Sequence, residues 1–444
     1  METIDRRPSE RLQCEVLVAG GGAAGVAAAV TAARAGLDVV LIERYGFCGG
    51  AAVAGLSGTV CGLYLAHPGA RRPPEQVVHG FAAEFVDALA SRGGVTEPMR
   101  YGDTWTRVHD PFVWRETADA LLAQAGVRVV YHATVIAVHV EGAERLAGVR
   151  AWTKAGLLDV LAETVIDATG DADLIEMAGL QTRIGQDGRV QNPTMIFRLQ
   201  GVDVERFMRR YGPDTILGAE IESLIEREQR AGADLPRRKV FLFPTPRERQ
   251  LLCNATRIVG GDGRELVPVR WRDLSEAETR GRAQARAYAA FFRAHLEGCE
   301  AAWLVDTGVQ VGVRQTRQIV GQYTLSNSDV TSARKRNDGV ARSPWPIELH
   351  SGEKPRLAWN HDDFYEVPYG CFVPERGESV LAAGRCLSAE HEAMASARVT
   401  GPCFAYGQAV GLAAALGVRE RIAPRAIDAV FLRDQLNRQG AGLD

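Results

Sequence analysis

The stretch Glu15-Val16-Leu17-Val18-Ala19-Gly20-Gly21-Gly22-Ala23-Ala24-Gly25 decides the fold, because an apolar strand runs into a glycine cluster and then into an alanine-rich helical pattern, Val26 to Ala35. Gly20, Gly22 and Gly25 have G-x-G-x-x-G spacing. Such glycines serve a tight turn, close approach of backbone to a pyrophosphate, and close packing of helix on strand. The turn, with Ala23 and Ala24, also aims a helix N-terminus at the phosphates, where free N–H groups and the helix dipole stabilise an anion. A second strand, Asp38 to Ile42, follows Gly36 and ends on Glu43. That is about 20 residues beyond the glycines, where an acid accepts hydrogen bonds from ribose hydroxyls. The competing reading is a glycine-rich turn that merely packs a βαβ unit.

The chain of 444 residues suits about two or three domains, and 46% hydrophobic with 24% charged residues describes an ordinary globular protein. A net charge of -3 gives no general attraction for nucleic acid, and Arg237-Arg238-Lys239 reads as solvated surface. Met1 to Gln13 is polar and carries both charge signs, which predicts neither a signal peptide nor a membrane anchor and hence a cytoplasmic protein. The apolar runs Val16 to Ala35 and Gly401 to Leu416 read as buried helical segments rather than membrane spans. Eight cysteines without a C-x-x-C pair indicate neither a zinc site nor a disulfide framework. His350, His361 and Asp362 fit no defined metal spacing and read as exposed loop residues, so no metal is expected.

Three segments carry the domain organisation. Residues 12–180 read as the first part of a nucleotide-binding domain. They include a glycine-rich segment, Arg44 to Ala51, that would wrap the cofactor, and an elaboration at about 68–105 with a helix over Val77 to Ser91. Pro111 to Ala125 follows as a helix, then Val127 to Val140, Ala147 to Thr153, Leu157 to Leu161 and Thr164 to Ala168 as strands of a β-meander leading into a last parallel strand. Residues 181–365 read as an inserted α+β substrate domain, with a helix N-capped by Ser275 in a capping box with Glu278, and a loop from Ala333 to Pro355. Residues 366–444 return to the nucleotide domain through Ser379 to Cys386, a strand closing on Gly384, and a helix opening at Gly401-Pro402-Cys403. In that helix Gly407 and Gly411 leave one face bare for a ring or a neighbouring backbone.

With these segments in hand the sequence resembles the bacterial FAD-dependent oxidoreductase family of the glutathione-reductase-like fold, an α/β Rossmann fold of parallel sheet plus β-meander, distantly akin to fumarate reductase flavoproteins. The resemblance is carried by the glycine turn, Glu43 to Gly50, Val165 to Asp171, Asn192 to Leu199, Gly312 to Tyr323, Ala383 to Ala393 and Pro402 to Gly411. It implies FAD, and since no His or Tyr is placed beside the flavin, a non-covalent attachment is expected. Gly20, Gly22 and Gly25 would lie at the pyrophosphate, Glu43 at the adenosine ribose and Val135 near the adenine edge. Arg44, Cys48, Gly49, Gly50 and Ala51 would belong to the wrapping loop. Ala168, Thr169, Gly170 and Asp171 would lie beside the cofactor, Gly384 and Arg385 at the ribityl chain and pyrophosphate, and Pro402 with Gly407 on the helix aimed at the flavin. Related flavoproteins have Gly-Asp where this chain has Gly384-Arg385. Cys48 is also a minority candidate for a redox thiol or a covalent flavin link.

The expected chemistry is dehydrogenation or oxidation of a small organic substrate by hydride transfer to flavin N5. His391 is the candidate base, tuned by Glu390 or Glu392, against a purely structural role of equal weight. Arg314 and Arg398 are candidates for holding an anionic substrate through paired hydrogen bonds, with Arg317 and Tyr323 close to Arg314 in sequence. For Arg314 the competing role is an interdomain salt bridge. A flavin monooxygenase fed by an external reductant, and a non-catalytic electron-transfer subunit, are the alternatives. No nucleic acid or membrane partner is expected, and the sequence names neither substrate nor electron acceptor nor oligomeric state.

Overall fold

The computed structural model describes residues 10–142, 144–352 and 354–444. Glu10–Ala19 forms strand β1, Ala23–Arg34 helix α1 and Val39–Ile42 strand β2, which pairs parallel with β1 from Val16↔Val39 to Ala19↔Ile42. Strand β3, Arg128–Val130, extends the sheet beyond β2. The segment expected as one β-rich run, Val127 to Val140, divides into β3 and β4, Thr134–Glu141, around His132, whose φ of 53° turns the chain. Strand β5, Arg145–Thr153, returns antiparallel to β4.

The strands predicted separately at Leu157 to Leu161 and Thr164 to Ala168 are one strand of 12 residues, β6, Gly156–Asp167. The reason lies in β1, which is long enough to pair from Glu10↔Leu158 to Ala19↔Asp167 and so holds the intervening residues extended. The other edge of β6 is shared. Its first half pairs antiparallel with β5, and Val165 to Asp167 pair parallel with the short strand Val380–Ala382.

A second core lies under a four-stranded antiparallel sheet of β7, Phe197–Gln200, β8, Phe241–Pro244, β9, Gln250–Asn254, and β10, Trp303–Thr307, in the order β8-β9-β7-β10. Phe197, Leu251, Ile258 and Val311 pack there with Ala277, Tyr288 and Phe292 of helix α2, Trp271–His295. Ser275 is not its N-cap. The helix starts four residues earlier, Ser275 Oγ donates to the Trp271 carbonyl at 2.8 Å, and Glu278 accepts instead from the Val311 amide at 2.6 Å. Buried Asp273, in the first turn, accepts from the Val267 amide at 2.9 Å and anchors the true start. The stretch expected as a loop from Ala333 to Pro355 contains two strands, Gly339–Ser343 and Ile347–Leu349. They pair with Tyr365–Pro368 and Arg356–Ala358, and Val340, Ala341 and Ile347 join the hydrophobic core that contains Val16 and Val18 of β1 and Ala27 and Val30 of α1. The helix expected from Val77 begins at Phe81.

Helix α3, Thr400–Glu420, crosses beneath the main sheet against α1. A Cβ at Gly407 would lie 2.1 Å from the Ala24 carbonyl oxygen, and one at Gly411 2.5 Å from that of Ala28. The bare face therefore serves contact between two helix backbones. By length and composition α3 could cross a membrane, but 83% of its apolar window is buried inside the protein.

Candidate functional site

The carboxyl ends of β1, β2 and β6 open into an elongated cavity lined by Gly20, Gly22, Ala23, Ala24, Glu43, Arg44, Gly49, Gly50, Ala51, Val135, Ala168, Thr169 and Gly170, and at its far end by Gly384, Arg385, Arg398, Thr400 and Cys403. The three motif glycines have different local reasons. Gly20 has φ of 102°, and a Cβ there would stand 2.4 Å from the Ala168 carbonyl oxygen. At Gly25 it would stand 1.8 Å from the Gly20 oxygen, whereas at Gly22 the nearest atom would be 4.0 Å away. Gly22 thus faces open space while the other two close the turn. Helix α1 has no side-chain cap, which leaves its first amides free for an anion. Glu43 pins the turn to β2, accepting from the Gly21 amide at 2.7 Å and the Tyr45 amide at 2.9 Å. Burial raises its carboxyl pKa against these two hydrogen bonds.

A second cavity of about 120 Å³ continues from the first and shares Ala51, Val313, Arg385, Arg398 and Thr400 with it. One wall is aromatic: the Tyr101 ring lies 5.4 Å from Phe241, 6.1 Å from Phe243 and 5.1 Å from Trp345. The other carries Arg314, Arg398, Glu348 and His350. Arg314 is 7% exposed and donates to the Asn192 carbonyl at 2.6 Å and to Asn254 Oδ1 at 3.4 Å, neutral acceptors rather than an interdomain carboxylate. Arg398 Nη2 reaches Gln191 Oε1 at 3.4 Å, and its Nε has no partner among the described residues. Arg237, 3% exposed, stacks over Phe241 behind this wall and also holds Asn254. Burial, and then the charges of Arg237 and Arg398, lower the proton affinity of Arg314. The arginines keep their charge. They form a buried excess of positive charge.

Glu348 is the carboxylate facing them. Burial works to raise its pKa, but His350, Arg398 and the Tyr101 hydroxyl outweigh it and hold the group below the ordinary carboxylate range. Tyr101 donates to Glu348 Oε1 at 2.7 Å, and His350 Nε2 lies 3.2 Å from the same oxygen. Burial and the Arg314 charge push the His350 imidazole well below its ordinary value. The neutral ring then has its proton on Nε2 toward Glu348, and its Nδ1 lone pair faces Arg237 Nη2 at 3.5 Å.

The FAD dependent oxidoreductase pattern matches residues 15–436. The chain belongs to this family. FAD is its cofactor, and the cavity at the glycine turn fits it, with an open face at Gly22, an uncapped helix N-terminus and an acid at the end of β2. Among solved structures, a geranylgeranyl bacteriochlorophyll reductase-like protein from Thermoplasma acidophilum is similar at 16% identity and TM-score 0.51, over 97% of this chain and 85% of that one. The p-nitrophenol 4-monooxygenase PnpA from Pseudomonas putida DLL-E4 is similar at 12% identity and TM-score 0.50, over 97% and 85%. These likenesses concern the fold. A comparison with curated proteins gave no match.

Against the FAD cavity, several sequence expectations need correction. Cys48 is sealed beneath the turn, where a Cβ on Gly21 would meet its Sγ at 2.5 Å, and burial pushes its thiol up to about 12. Gly407 contacts α1 rather than the cavity, and Pro402 packs on Gly62. Asp171 turns to Thr316, and Asp173 lines the cavity in its place. His391 lines neither cavity. It opens the short helix His391–Ala397, where burial lowers its pKa and Glu265, Glu392 and Arg189 are its charged surroundings. Arg317 pairs with Asp173, and Tyr323 donates to Asp329, so neither joins Arg314. His361 and Asp362 are exposed as expected, but His350 is 8% exposed and in the second cavity. Arg237 is buried, contrary to its reading as surface. Sequence reasoning missed Tyr101, Glu348 and Trp345, and only the apolar alternation around Ile347 could have signalled that Glu348 sits on a buried strand.

Proposed function

We propose that this FAD-dependent oxidoreductase acts on a small carboxylate, held in the second cavity by Arg314 and Arg398 with the aromatic wall of Tyr101, Phe243 and Trp345 along its apolar body. The observation that carries the reading is the buried guanidinium excess in a cavity continuous with the cofactor's. Buried like charges are costly until an anion compensates them, and guanidinium suits a carboxylate through paired donors. Gly20, Gly22, Ala23 and Ala24 would hold the FAD pyrophosphate, Glu43 the ribose, Val135 the adenine side, and Arg385 with Thr400 the flavin end. Bound FAD supplies a two-electron acceptor for hydride. The residues shared by the two cavities support a substrate set against the cofactor, with Tyr101 and Trp345 along its other side.

The test is anaerobic incubation of the FAD-loaded protein with a panel of small carboxylic acids, following loss of the oxidised flavin absorption. Bleaching by a member of the panel, weakened in Arg314→Ala, is the expected result. Bleaching by neutral compounds alone would overturn the carboxylate assignment. An oxygenated product formed only with oxygen and an external reductant would turn the assignment from dehydrogenation to monooxygenation.

A further inference from the structure

We infer that the substrate carries an O–H or N–H group besides its carboxylate, and that Oε2 of Glu348 accepts the hydrogen bond from it. The inference rests on the carboxylate reading above and specifies its substrate class as a hydroxy or amino acid.

The cavity wall carries an uneven set of hydrogen-bonding groups. Arg314, Arg385 and Arg398 bring guanidinium donors to it. A substrate carboxylate supplies acceptors for such donors. Glu348 presents the opposite need. It is 5% exposed on the strand Ile347–Leu349, and both neighbours, Tyr101 Oη and Nε2 of His350, take the same oxygen, Oε1. Oε2 accepts no hydrogen bond among the described residues, and Glu348 lines the cavity.

A buried carboxylate oxygen requires a donor. A plain carboxylate substrate has none to give and would set its own negative charge against Glu348, a repulsive contact of the kind that excludes wrong ligands. A hydroxyl or ammonium group on the same small skeleton removes the conflict. Because Tyr101 and His350 fix Oε1 from two sides, Oε2 has a set direction and reads the position of that group relative to the carboxylate. Tyr101 and His350 are positioning residues, and Glu348 determines specificity.

The experiment titrates FAD-loaded protein, without oxygen, with acetate, glycolate and glycine, and with propionate and lactate, reading affinity from the perturbation of the flavin absorption spectrum rather than from turnover. A hydrogen bond to a charged group predicts that glycolate or glycine binds at least about 10-fold tighter than acetate. In Glu348→Gln the preference should fall to within about 2-fold, as the charge that strengthens the bond is gone. Glu348→Asp keeps the charge and withdraws it by one methylene. It should retain FAD and part of the preference, which separates loss of recognition from loss of fold. Equal affinity for acetate, glycolate and glycine in the wild type, or an undiminished preference in Glu348→Gln, overturns the inference and leaves the carboxylate reading standing. Perturbation by none of these acids removes that reading and the inference with it.

Discussion

The two adjoining cavities are built from different materials. The cofactor cavity is made of backbone: Gly20, Gly22, Gly49, Gly50 and Gly170, with free amides at the start of α1, and its shape depends on which positions lack a Cβ. The second cavity is made of side chains from separate parts of the chain, Tyr101, Arg314, Glu348, His350 and Arg398, and its character depends on charge. Sterics govern the first site and electrostatic balance the second, so substitutions should damage them in different ways.

The largest effect is expected at the glycine turn, where two neighbouring positions should fail differently. Gly25→Ala puts a Cβ 1.8 Å from the Gly20 oxygen, an overpacking that should cost about 3 kcal/mol or more and show in the thermal unfolding of the apoprotein. A Cβ at Gly22 meets no atom nearer than 4.0 Å, so the apoprotein of Gly22→Asp should unfold at a near-normal temperature while binding no FAD, since a carboxylate there would repel the pyrophosphate. An apoprotein of Gly22→Asp as unstable as Gly25→Ala would break the distinction between fold and binding within the motif.

In the second cavity Arg314→Ala should weaken carboxylate binding by about 100-fold with FAD content unchanged, and Arg314→Lys should recover only part of it, because lysine lacks the planar fork. Equilibrium titration of both variants checks this, and normal affinity in the alanine variant would return Arg314 to a structural role. A pH series gives a smaller effect. Burial and Arg314 hold His350 neutral, with its pKa displaced downward, so its folded-state proton is already absent at neutral pH. Carboxylate affinity should therefore be flat between about pH 6 and 9, with no titration step near the ordinary histidine value. The sign for stability is the reverse of a charged-histidine pair: a lowered folded pKa means that stability is lost as pH falls below the unfolded histidine value, where only the unfolded chain takes up the proton. The smallest effect is expected for His391→Ala, less than about 3-fold on flavin reduction, because the side chain lines neither cavity. Denaturation should likewise release FAD intact from both the wild type and Cys48→Ser, as mass spectrometry of the freed cofactor would show.

The same contrast explains what the sequence disclosed. The cofactor site was legible because its parts are contiguous: strand, glycine turn and helix lie within Glu15 to Arg34, and an acid closes the next strand. The second site joins Tyr101 to Glu348 and Arg314 to Arg398, and no spacing rule links them. Arg237 and His350 looked exposed because charge-rich stretches usually are. Their burial comes from contacts with Phe241, Asn254 and Glu348, made only once the second sheet and the strand Ile347–Leu349 are in place. Ser275 offered a good local start signal for α2, yet tertiary anchoring of Asp273 to Val267 moved that start. His391 lies between two cofactor segments along the chain, and that proximity does not become proximity in the cavity.

The contact of Gly407 and Gly411 with Ala24 and Ala28 also sets a timetable for biosynthesis. Helix α1 ends at Arg34 and leaves the ribosome well before its partner α3, which begins at Thr400. At about 5–20 residues per second the first waits roughly 20–70 s for the second. Through that interval the nascent chain shows an alanine-rich surface with no cover and a phosphate turn with no far wall. Loading of FAD should accordingly follow the emergence of α3, and chains stalled before α3 should be found with chaperones and without flavin.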